Sequence, residues 1–101
     1  MKKRWYELSP DVCMVISKIE LAKEEDRTRY AKIVLTELQK AGYEPDKAIY
    51  LERIKNYEMR RWYDRNRILF MAFEYLKDSE SEIQSIVAES VLRQMRVETA
   101  A

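Results

Sequence analysis

Apolar residues recur at helical spacing along most of the chain, and the gaps between the stripes are strongly polar. Ser9-Pro10-Asp11 predicts a helix start. Ser9 can cap a free backbone N–H, Pro10 suits the first helical position, and Asp11 faces the positive end of the helix dipole. Behind it Val12, Ile16 and Ile19 share a face until Lys23-Glu24-Glu25-Asp26-Arg27 ends the stripe, which predicts a bend near residue 24. A second stripe runs through Tyr30, Val34, Leu38 and Ala41 to Gly42, the residue best suited to a left-handed C-terminal cap.

Tyr43-Glu44-Pro45 reads as a connector, because proline disfavours helix at the residue before it. From Asp46 a helix is expected through Ile49, Leu51, Ile54 and Tyr57 to about Trp62. The pattern leaves two outcomes open beyond that point: a break at Tyr63-Asp64-Arg65-Asn66, or a continuous helix to Leu76. Ser79 with Glu82 matches a capping box ahead of a stripe through Ile83, Ile86, Val87, Val91 and Met95. Four or five helices and no strands follow, so the expected fold class is all-α, a small bundle in one domain over residues 1–101.

An internal echo refines that picture. Arg4-Trp5-Tyr6-Glu7 returns as Arg61-Trp62-Tyr63-Asp64, a separation of 57 residues (4 to 61). Without a gap the same separation pairs Met14 with Met71, Ala31 with Ala88, and Val34-Leu35 with Val91-Leu92. It also pairs the candidate caps Ser9 and Asn66. A duplication spanning residues 3–41 and 60–98 would give two helical hairpins joined by a middle helix. Amphipathic helices share composition and period, so only the Arg-Trp-Tyr match carries real weight.

Composition narrows the chemistry. The 101 residues include no His, one Cys, one Gly and two Pro. Without His there is no common base at neutral pH to activate Cys13, and one cysteine excludes an internal disulfide or a multi-cysteine metal site. Phosphate-cradling loops need several glycines. Acidic pairs four residues apart, Glu20 with Glu24 and Glu74 with Asp78, leave a carboxylate–Mg²⁺ nucleotide hydrolase as a remote alternative. The expectation is a non-enzymatic protein with no cofactor.

Net charge is +1, so no global field favours nucleic acid or an anionic membrane. The longest apolar run, Ile68 to Phe73, is far short of the roughly 20 residues of a membrane helix. Acidic residues after Lys2-Lys3-Arg4 interrupt any signal-peptide pattern, and a cytoplasmic protein is expected.

The middle of the chain concentrates Arg and Tyr. Tyr50, Arg53, Tyr57, Arg60, Arg61, Tyr63 and Arg67 form the candidate interaction surface. If one helix carried them, Arg53, Arg60 and Arg67 would make a single stripe. Tyr, Trp, Met and Arg are the residues interface cores favour, and the half-buried rim of a bundle would use Tyr equally well. The function expected first is a protein–protein interaction module that forms a homodimer. The alternative is a nucleic-acid-binding regulator using residues 53–67, with arginine on phosphates and tyrosine stacked on bases.

Overall fold

The computed structural model describes residues 5–56 and 62–100. Among these residues the fold is an all-α bundle of five α-helices with no strand. A 3-10 turn, Trp5–Leu8, leads into α1 (Pro10–Glu20) and α2 (Glu24–Lys40). The peripheral α3 (Lys47–Asn56) follows. A second 3-10 turn, Trp62–Arg65, leads into α4 (Arg67–Asp78) and α5 (Ser81–Ala100). The elements before and after α3 come in the same order and begin 57 residues apart (5 to 62, 10 to 67, 24 to 81).

Each boundary has a local cause. Pro10 takes the first position of α1 as expected, with Ser9 extended before it, but the Ser9 side chain makes no cap bond. Asn66, equally extended, does cap α4: its side chain accepts from the Leu69 N–H at 3.2 Å. The bend near residue 24 is closed by Arg27, whose guanidinium donates to the carbonyls of Ile19 and Glu20. Gly42 has a φ of +89°, and the N–H groups of Gly42 and Tyr43 return to the carbonyls of Gln39 and Leu38, a glycine-terminated helix end. Asp46 starts α3 by accepting from the Ala48 N–H at 3.0 Å.

The capping box expected at Ser79 does not form. Ser79 Oγ instead donates back to the Leu76 carbonyl at 2.7 Å, and α5 begins two residues later at Ser81. Gln84 explains the shift, since its amide covers the carbonyls of Leu76, Lys77 and Ser79 at the end of α4. Ser79 therefore finishes one helix rather than starting the next.

One core draws on both hairpins. Val12, Val15, Ile16 and Ile19 of α1 sit at the i, i+3, i+4, i+7 positions that place them on one face, and all are buried. Ala31, Val34 and Leu38 of α2 meet them, as do Leu69, Phe73 and Leu76 of α4 and Val87, Val91 and Met95 of α5. Burying each large aliphatic or Phe side chain contributes about 1.5–3 kcal/mol. α2 packs more extensively against α4 and α5 than against its hairpin partner α1, which lies against α5. No described helix is long and apolar enough to cross a membrane.

Candidate interaction surface

The side chains of α3 divide by their role. Tyr50 and Arg53, three residues apart, share the face toward α4. The Tyr50 ring is buried edge-on against Tyr75, with centroids 4.3 Å apart. Its hydroxyl donates to Asp78 Oδ2 at 2.8 Å and lies 2.7 Å from the Tyr43 hydroxyl. Arg53 Nη1 donates to Asp78 Oδ2 at 2.7 Å and to Glu74 Oε2 at 2.9 Å, with its guanidinium over the Tyr50 ring. Lys77 adds a second cation to Glu74 at 3.1 Å.

This clip fastens α3 to the C-terminal turns of α4. The carboxylate of Glu74 is buried, which is tolerable because two cations neutralise it. Burial pushes the Tyr50 phenol well above its ordinary pKa, and the hydrogen bonds with Tyr43 and Asp78 add to the rise. Burial alone would lower the pKa of Arg53, but the hydrogen bond and charge of Asp78, with the charge of Glu74, turn the net shift upward. Tyr75 is raised by burial first and by Tyr43 second.

The other candidate residues separate. Tyr63 is 2% exposed in the 3-10 turn before α4, packed on Phe73 at 4.7 Å and accepting from Trp5 Nε1 at 3.4 Å. Arg67 is exposed at the first position of α4. The clip engages the C-terminal turns of α4, so about 10–16 Å of helix separates Arg67, and Tyr63 before it, from the residues that hold Tyr50 and Arg53. Tyr57, Arg60 and Arg61 lie outside the described residues. A single stripe through Arg53, Arg60 and Arg67 needs an unbroken helix, and the extended backbone of Asn66 breaks it.

Sequence reasoning passed over the outer side of α3. Ile49 and Leu51 are 48% and 58% exposed on the flanks that the clip leaves outward. Their signal was present, two large apolar residues flanking Tyr50, but the side that packs depends on where α3 docks. A cavity of about 480 Å³, open to solvent, lies beside the clip between Leu35, Leu38, Tyr43, Pro45, Lys47 and Tyr75.

The acidic pairs meet cations of the chain itself. Glu74 and Asp78 share Arg53, while Glu24 pairs with Arg27 at 3.3 Å and accepts from Asn66 Nδ2 at 3.0 Å. Among the described residues no group of three or more His, Cys, Asp or Glu side chains could hold a metal ion. Cys13 is half-buried at the edge of the core. The chain matches no protein-family model, no curated protein and no solved structure.

Proposed function

We propose that the protein is a non-enzymatic, cytoplasmic interaction module that self-associates, with the outer side of α3 as its contact surface and its two hairpins as copies of one unit. The observation that carries this reading is α3 itself. A polar clip consumes its inner side, yet Ile49 and Leu51 remain exposed, one on each flank of Tyr50. Large apolar side chains presented by a fixed helix are what a helical partner surface uses. Twofold pairing of identical chains is the commonest use of such a surface.

Sedimentation velocity across a wide concentration range tests it. The wild-type chain is expected to shift toward a dimer, and Ile49→Lys with Leu51→Lys is expected to abolish the shift without lowering thermal stability. A strict monomer at every concentration, with no partner retained on affinity capture from cells, would sink the reading.

Arg65 and Arg67, exposed on either side of Asn66, favour a second reading as a nucleic-acid binder. Arg53 is not free for it, being committed to Glu74 and Asp78. Phosphate contacts weaken steeply with salt, so no binding to single or double strands at low ionic strength removes this reading.

A further inference from the structure

We propose that the protein self-associates by exchanging hairpins, the α1–α2 unit of one copy closing on the α4–α5 unit of another. This rests on the self-association proposed above and names its partner and its seam. The starting point is that residues 57 apart do the same work. Arg27 donates to the carbonyls of Ile19 and Glu20, and Gln84 donates to those of Leu76 and Lys77, each position 57 residues further on. Ala22 N–H returns to the Ile19 carbonyl as Ser79 N–H returns to that of Leu76. The rings of Trp5 and Tyr6 meet edge-on at 5.5 Å and 87°, those of Trp62 and Tyr63 at 5.4 Å and 89°.

The hairpins also pack on each other as two protomers would. Gln94 Nε2 donates to Glu37 Oε1 at 3.0 Å across a separation of 57 residues. Two equivalent positions touch where a twofold axis passes between them. Around that axis α2 lies on α5, and the α1–α5 contact corresponds in position to the α2–α4 contact, the latter being the more extensive. The monomer is arranged as a dimer of hairpins joined through residues 41–61.

Exchange follows from that arrangement. The seam contacts are identical whether the second hairpin comes from the same chain or from another, so the connector decides between them. Joining the two hairpins in one chain gives each an effective concentration for the other on the order of mM, which favours the closed monomer in dilute solution. The clip holds α3 against its own second hairpin, so α3 stays with that hairpin in either form. At high concentration a second copy competes for each hairpin, and the exposed Ile49 and Leu51 can then be buried between chains.

The test uses two full-length chains, Glu37→Cys and Gln94→Cys, each also carrying Cys13→Ala. They are mixed, unfolded in urea, refolded at high concentration and treated with a short bismaleimide. A chain carrying both new cysteines, cross-linked within itself at low concentration, establishes that the thiols are within reach. Exchange is expected to give a covalent species of twice the chain mass from the mixture and none from either chain refolded alone. Dimers in sedimentation without this cross-link overturn exchange and leave a surface dimer standing. A strict monomer at every concentration overturns exchange and self-association together.

Discussion

Glu37 and Gln94 stand 57 residues apart in sequence and 3.0 Å apart in space, a carboxylate accepting from an amide between α2 and α5. The pairing is asymmetric in chemistry although symmetric in position. Gln94→Glu sets two carboxylates against each other and is expected to cost about 1.5–3 kcal/mol, the usual scale of a hydrogen bond to a charged group. Exchanging the two side chains, Glu37→Gln with Gln94→Glu, restores one donor and one acceptor. Urea denaturation of the four chains forms a double-mutant cycle in which the exchanged pair recovers most of the loss. Additive losses would show that the two side chains do not interact.

The clip predicts a local effect on top of a global one. Arg53→Met removes a cation beside the buried Glu74 carboxylate, and the expected loss is about 2 kcal/mol. Hydrogen exchange should accelerate first in α3, because Tyr50 and Arg53 fasten that helix to α4. Lys77 still pairs with Glu74 in that chain, so adding Glu74→Gln should deepen the loss rather than relieve it.

Alkaline pH should unfold the protein partly through Tyr50. Its folded-state pKa lies above the ordinary phenol value of 10.0, so the native state keeps this proton where the unfolded chain releases it. The associated stability is therefore fully present below 10.0 and declines as pH rises past that value. Tyr50→Phe should be less stable at neutral pH, having lost the bonds to Tyr43 and Asp78, but should fall less steeply under alkali. Some slope remains from Tyr75, whose phenol is shifted the same way. Parallel curves for the two proteins in urea titrations from about pH 8 to about pH 11 would contradict this.

Gly42→Ala isolates a backbone effect. A Cβ at this position would meet nothing within 4 Å, so the penalty comes from the φ of +89° alone. The expected loss is about 1 kcal/mol. A loss several times larger in thermal or chemical denaturation would point to a packing role that the open surroundings do not suggest.

Much of the fold was legible along the chain because it depends on local rules. Pro10, Gly42 and Asp46 act through their own backbone preferences or through groups within a few residues, and the bend after Glu20 comes just before the polar stretch, which forms the first turn of α2. The apolar stripes name the buried Val12, Ile16, Ile19, Val34, Leu38, Val87, Val91 and Met95 because helical period puts them on one face, but Ile86, placed in the α5 stripe, is exposed one position off that face.

What sequence left open were choices between distant partners. Tyr63-Asp64-Arg65-Asn66 holds no Gly or Pro, and its pattern suits a continuous helix as well as a break. The break belongs to the tertiary structure, in which Tyr63 is buried against Phe73 and takes the Trp5 N–H, while Asn66 caps α4. Ser79 is similar: its hydroxyl could serve either neighbouring helix, and the packing of Gln84 over the end of α4 decides which. Arg53 could have faced phosphate, solvent or a partner, and docking of α3 on α4 turns it onto Glu74 and Asp78 instead. Helical period and caps are set within a few residues, so the sequence determined where the helices lie and which faces they bury. Burial and charge pairing depend on groups many residues away, so only the assembled bundle decided which arginine is engaged and which tyrosine is buried.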